Sequence, residues 1–341
     1  MTRVRLRPLS ALFGLALTCA APVLAADRKP VKLATMVPKG SSYHKALLGL
    51  GESWRAAPEG GVKLVVYPDG SMGGEPDMVR KMRVGQIQAA MLTVTGLAEI
   101  EKSVTALGNL PLMFRSLDEV AHVREKLRPG IERKFEEKGF VVLFWGDVGW
   151  LKFFSRQPVI RPDDLKKVKL FTLPGDTFQF DLMKSIGLQP VALEPTDILP
   201  GLETGMIDAV PITPFYAQMF QFYGPAPHML ELEWAPLVGA GVIQKKVWDD
   251  YPPALQQAMR EGARVAGQAI VARNRAENDE AVEAMKKRGL TVHPASPQVV
   301  AEWRAWIQPI YPKLRDTEVP SDMFDEVVRT LETYRAGAGA K

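Results

Sequence analysis

Over the first hundred residues, short apolar runs bounded by proline and glycine alternate with amphipathic stretches. Pro30 to Met36 (PVKLATM) predicts a buried strand. After the Pro38–Gly40 loop, Ser41 or Ser42 caps a helix running through His44, Leu47, Leu48 and Trp54. Val62 to Tyr67 predicts a second strand, and a helix from Glu75 to Val84 stops at Gly85. Ile87 to Val94 predicts a third strand. This β-α-β-α-β order implies a mostly parallel sheet covered by helices.

The pattern then repeats. Val168-Lys169-Leu170 echoes Val62-Lys63-Leu64, and Gly205-Met206-Ile207-Asp208-Ala209 echoes Gly85-Gln86-Ile87-Gln88-Ala89. Between the two copies, Phe140 to Phe154 predicts strand, turn, strand, with Gly146 and Gly149 at the bend, as a first crossing between lobes. Leu237 to Ile243 predicts a strand that crosses back, and Pro252 to Arg288 a long helix. Pro297 to Tyr334 predicts two further helices, and Ala336 to Lys341 a frayed tail.

The fold class is therefore α/β, a two-lobed clamshell. Each lobe is an open, mostly parallel sheet with helices on both faces, and the long helix spans both. The first lobe takes residues 26–145 with about 235–275, and the second 146–234 with about 276–335. A chain of 341 residues suits two domains. Such a fold binds its ligand in the cleft outside the carboxyl ends of the strands and closes about a hinge.

The first 25 residues have the layout of a secretory signal peptide: Arg3, Arg5 and Arg7, an apolar run from Ser10 to Ala21, then Val23-Leu24-Ala25 before a cleavage point at Ala26. The run is shorter than the ~20 residues that span a bilayer. The precursor carries 43 Lys+Arg against 39 Asp+Glu. Losing the three leader arginines brings the balance to about +1, which removes the electrostatic case for nucleic acid. The single cysteine, Cys19, falls in the leader, leaving a cysteine-free mature chain suited to the periplasm. Lipidation of Cys19 is the other reading, on a poor match to a lipidation box.

Catalytic motifs are absent. His44, His122, His228 and His293 stand apart from one another and from carboxylates at ligand spacing, so no metal site is indicated. No Gly-x-Ser-x-Gly elbow occurs. Gly49-Leu50-Gly51 lies within a helix and lacks the third glycine of a dinucleotide loop. No cofactor is expected, and the protein reads as a binding protein and not an enzyme.

Several motifs, in order and at matching spacing, carry a resemblance. They are Lys32-Leu33-Ala34-Thr35 with Pro38, Gly40, Ser41 and His44; Tyr67-Pro68 with Gly70; Gly73-Gly74-Glu75; Met82-Arg83 with Gly85-Gln86-Ile87; Pro162-Asp163-Asp164-Leu165 before Lys169-Leu170; and Leu202 with Gly205-Met206-Ile207-Asp208-Ala209. Over essentially the whole mature chain this resembles the solute-binding proteins of TRAP transporters, the C4-dicarboxylate-binding type. The resemblance implies a periplasmic receptor that hands a small molecule to a two-part, sodium-driven membrane permease. A monomer is expected.

The chain departs from that family where a ligand would sit. Most members carry an arginine just after the Lys-Leu of the second-lobe strand, where its guanidinium fork pairs with a ligand carboxylate. Phe171 stands there instead. A second family arginine, near the start of the inter-lobe strand, is replaced by Leu151 or its neighbours, and the family's occasional Glu-Trp metal pair gives way to Val210-Pro211-Ile212-Thr213-Pro214-Phe215. These changes predict a more apolar, aromatic pocket. Trp145, Trp150, Phe171 and Phe215 are its candidate walls. Asp147, Thr93, Thr95 and Thr213 are candidate polar contacts, joined by Ser41 and Glu75 from the first lobe. Trp145 and Phe171 equally suit a core, Glu75 a helix N-terminus, and Asp147 a bend. Lys152 or Lys169 remains available for an acidic ligand. Two other functions share the clamshell: a sensor-linked binding protein, told apart by a neighbouring kinase, and a carrier or enzyme for a lipid-like molecule, told apart by turnover.

Overall fold

The predicted strands pair into one continuous ten-stranded sheet. The computed structural model describes residues 28–174 and 177–338. The expected leader, with Cys19 and the expected cleavage point, lies outside the described residues.

In the first lobe, β1 (Val31–Thr35), β2 (Leu64–Tyr67) and β3 (Ala89–Thr93) run parallel, with β1 central. Ser41 caps α1 (Ser42–Arg55), its hydroxyl accepting from the His44 amide at 3.2 Å. α2 (Glu75–Arg83) ends before Gly85, whose φ of 78° suits glycine. The third strand is shorter than its apolar run, because Val94 already begins α3 (Val94–Ala98). α4 (Leu117–Glu137) then leads into β4.

β4 (Phe140–Ser155) corrects the expected strand–turn–strand. It is one 16-residue strand that passes from lobe to lobe. The glycines mark an irregularity in it and not a reversal: the pairing register shifts between Asp147 and Trp150, and Gly149 takes a φ of 96°.

The second lobe repeats the plan. α5 (Pro162–Leu165) precedes β5 (Lys169–Thr172), followed by α6 (Thr177–Ser185), β6 (Gln189–Ala192), α7 (Ile198–Thr204), β7 (Ala209–Ile212) and α8 (Pro214–Met219). β5 pairs in parallel with β6 and β7. β8 (His228–Leu230) joins the edge of β4, and β9 (Ala235–Gln244) returns antiparallel to both β4 and β3. The strand order is β2-β1-β3-β9-β4-β7-β5-β6.

After α9 (Lys245–Asp249), α10 (Pro253–Lys286) runs for 34 residues, about 50 Å at 1.5 Å per residue, and packs on α1, β4 and α8. It thereby spans both lobes. β10 (Thr291–His293) pairs with β8. The C-terminal region holds more than the two helices expected: α11 (Pro297–Ile307), α12 (Tyr311–Leu314) and α13 (Ser321–Ala338). α13 takes in the first three positions of the expected tail, and 339–341 lie outside the described residues. Among the described residues, no helix is long and apolar enough to cross a membrane.

Packing fixes this arrangement. Trp54 of α1 is fully buried and its indole donates to the Met259 carbonyl of α10 at 3.0 Å. Burying each such side chain contributes roughly 1.5–3 kcal/mol. Gly241 of β9 lies under the Phe144 ring, so close that a Cβ would fall 2.3 Å from it.

Candidate functional site

The carboxyl ends of the parallel strands converge on the crossing. β3 ends at Thr93, β7 at Ile212 before Thr213, and between them lie the β4 irregularity and the middle of α10.

Glu75 opens α2 and is buried. Its Oε1 accepts from the Thr93 amide at 2.8 Å, and its Oε2 accepts from the Thr93 hydroxyl at 2.7 Å and the Gly96 amide at 2.8 Å. It caps α3 from another element. Burial pushes its carboxyl above the ordinary range, against the opposing pull of those hydrogen bonds. Gly96 is required here, since a Cβ would lie 2.7 Å from the Glu75 Cβ.

Across the crossing, Thr213 stands at the start of α8 without a side-chain cap hydrogen bond, and Phe215 lies against Tyr43 of α1, ring centroids 5.1 Å apart. Tyr216 stands 6.5 Å from Tyr43. Burial raises the Tyr43 hydroxyl, with smaller contributions from Tyr216, Glu277 and Asp147. Burial likewise raises Tyr216, helped by the charge of Glu75. Asn278 ties the region together. Its Oδ1 accepts from the Phe215 amide at 3.0 Å, and its Nδ2 donates to the carbonyls of Val148 at 3.0 Å and Asn274 at 2.9 Å. Gly149 makes room for this contact, because a Cβ there would lie 2.8 Å from Asn278 Nδ2. Glu277 accepts from the Ser42 hydroxyl at 2.5 Å, fixing α10 to the start of α1.

Several buried polar atoms border this junction without a hydrogen-bond partner among the described residues. They are the Tyr43 hydroxyl, the Thr213 hydroxyl and both amide atoms of Asn274. Asp147 is buried with Arg124 of α4, carboxylate to guanidinium 3.6 Å.

The sequence-derived candidates are distributed unevenly. Glu75 and Thr93 are in direct contact, with Thr95 half-buried beside them on α3. Thr213 and Phe215 meet at the junction, and Asp147 is buried in the β4 irregularity. Ser41 spends its hydroxyl locally, donating to the Pro38 carbonyl at 2.6 Å while capping α1. Trp145 lies in the core beneath α4, its indole donating to Glu132 at 2.9 Å. Trp150 is buried in the same core. Phe171 is half-buried and packs against the second-lobe cluster around Phe154 and Ile198.

Neither lysine lies free at the junction. Lys169 begins β5, at the opposite end from the cleft, and its ammonium donates to the Gly205 carbonyl at 2.8 Å. Lys152 is desolvated, which lowers its pKa, and it faces Glu233, Glu231 and Asp279.

Sequence reasoning missed Tyr43, Tyr216, Arg124, Asn274 and Asn278. The one legible signal was the asparagine pair, four apart on one face of a helix otherwise rich in alanine and charge. The histidine reading also needs correction. His228 and His293, distant in sequence, are brought together by β8 and β10, with Nδ1 and Nε2 3.1 Å apart. Among the described residues, no group of three or more His, Cys, Asp or Glu converges to hold a metal.

Comparison with known proteins accords with this architecture. Residues 33–317 match the family model DctP, described as bacterial extracellular solute-binding protein, family 7. The 2,3-diketo-L-gulonate-binding periplasmic protein YiaO of Escherichia coli is 27% identical over 261 residues, 74% of this chain and 76% of that one. The C4-dicarboxylate-binding periplasmic protein DctP of Rhodobacter capsulatus is 22% identical over 319 residues, 91% and 94% of the two chains. Among solved structures, the sugar acid binding protein DctPAm of Advenella mimigardefordensis, in complex with galactonate, superposes with a TM-score of 0.82 at 17% identity. That match covers 90% of this chain and 99% of the other.

Proposed function

The chain belongs to family 7 of the bacterial extracellular solute-binding proteins, and from that premise we propose that it is the periplasmic receptor of a TRAP-type transporter for a small, hydroxyl- or carbonyl-bearing organic acid. The ligand lies at the junction of the lobes and is passed to the membrane permease subunits. Relatives that bind diketogulonate, galactonate and C4-dicarboxylates support the acid class.

The observation that carries the ligand reading is the set of unpartnered buried atoms: the Tyr43 and Thr213 hydroxyls and the Asn274 amide. A buried polar group left unpaired costs about 1–3 kcal/mol. A ligand that pairs with all three side chains recovers several kcal/mol on binding. Phe171 in place of the family arginine argues against the usual carboxylate grip, and its half-buried ring offers an apolar surface for the carbon skeleton. The body of the ligand is thus apolar on one side and hydrogen-bonding on the other.

The test is native mass spectrometry of the gently purified mature protein, with extraction of any bound compound. Titration calorimetry against sugar acids, aromatic acids and C4-dicarboxylates follows. The expected ligand is an acid with at least two further hydrogen-bonding groups, bound one per chain. Tyr43→Phe and Asn274→Ala should each weaken it about tenfold, since 1.4 kcal/mol is a factor of ten. A tight ligand indifferent to both substitutions would refute the reading.

A further inference from the structure

A cavity lies on the face of the second-lobe sheet opposite Phe171, and the first-lobe residues Gly108, Asn109 and Pro111 also line it. Its volume is about 160 Å³. Leu151 of β4 and Leu170 of β5 form its floor, Leu182 and Met183 of α6 one wall, and Trp234 and Trp306 the other. Leu170 and Phe171 are neighbours on one strand and point to opposite faces, so this cavity and the Phe171 side of the sheet are separate.

The lining is apolar except at one end, where Asn109 and Glu318 stand. Those two are already bonded to each other, the Asn109 amide donating to the Glu318 carboxylate. An ordered water needs two to four polar partners, which the rest of the cavity does not offer. A cavity of about 150 Å³ lined by Leu, Ile and Phe in another protein stays dry and admits benzene or xenon. Leu182, Met183, Trp234 and Trp306 are each only half-buried, so the cavity has a rim through which a small molecule can pass.

We propose that this cavity is a second ligand site, for an apolar molecule the size of one aromatic ring. The two indoles offer ring edges and faces, and the Met183 thioether suits an aromatic partner.

The test uses bromobenzene as the probe on the full mature protein. In crystals soaked with it, anomalous scattering from bromine should appear between Met183 and Trp306. In solution, bromobenzene should raise Tm by a few degrees and quench tryptophan fluorescence saturably. Met183→Trp fills the cavity and should weaken the probe at least tenfold. Leu182→Phe serves the same purpose if the first variant does not fold. Bromine density elsewhere only, or a probe response unchanged in the filled variant, would overturn the assignment. A wild-type protein whose Tm and fluorescence ignore the probe up to its solubility would do the same.

Discussion

Glu75 connects the stability of the first lobe to the site, and its removal has a calculable cost. Its carboxylate is the acceptor for two backbone donors, the amides of Thr93 and Gly96, at 2.8 Å each. Glu75→Ala strands both. At about 1–3 kcal/mol per unmet buried donor, the loss is roughly 4 kcal/mol. For a chain of this size, with about 2–4 °C per kcal/mol, Tm should fall by about 8–16 °C. Glu75→Gln keeps one carbonyl oxygen for Thr93 but turns an amide nitrogen toward Gly96, so it should cost about 1–3 kcal/mol. The pH dependence gives a second, independent reading. Burial raises the Glu75 pKa above the 4.5 of a free glutamate, so over that interval the folded state holds a proton the unfolded chain has lost. Stability contributed by such a group is fully present below pH 4.5 and declines as pH rises through the folded value. The advantage of the native protein over the uncharged Gln variant should therefore narrow as pH rises above 4.5. Thermal melts of the three proteins across that range are the assay. A gap that widens with pH, or an Ala variant within a degree or two of the native protein, would refute the reasoning.

Other substitutions probe the remaining parts of the fold and site. Phe171→Arg restores the family guanidinium to the second-lobe strand and should strengthen succinate binding at least tenfold by calorimetry; no gain would mean that position 171 does not face the ligand. Gly241→Ala drives a Cβ into the Phe144 ring at 2.3 Å and should cost about 1–3 kcal/mol by denaturant unfolding, with part recovered by adding Phe144→Leu. Burial, then the neighbouring His293, lowers the His228 pKa below 6.5, so its contribution to stability is present above that value and is lost as pH falls through the folded pKa. His293→Gln should flatten the fall in Tm between pH 7 and 5, and an unchanged slope would remove the pair from the account.

What the sequence disclosed and what it withheld divide along physical lines. Local chemistry was legible: the Ser41 cap, the glycine at the end of α2, the paired Gly-x-Ile strands of the two lobes, and the long helix with no proline after Pro253 all follow from interactions within a few residues. Strand parity was not. The register shift between Val142 and Phe144 reverses which face each β4 side chain takes, so that Trp145 joins Phe140 and Val142 beneath α4, while Leu143 and Phe144 share the opposite face. A one-residue slip of that kind leaves no mark in composition, and the glycines that accommodate the crossing are the same residues that ordinarily signal a turn. Long-range convergence was equally hidden. The Tyr43–Phe215 contact and the Asn278 clamp join α1, β4, α8 and α10, elements that only the assembled fold brings together. Glu75 was found because it heads its own helix, whereas its three hydrogen bonds, from Thr93 and Gly96 18 to 21 residues away, exist only because β3 ends beside α2. The proposed site is therefore a property of the crossing itself. The residues most exposed to error in a sequence reading are those of β4 and α10, the two elements that belong to both lobes.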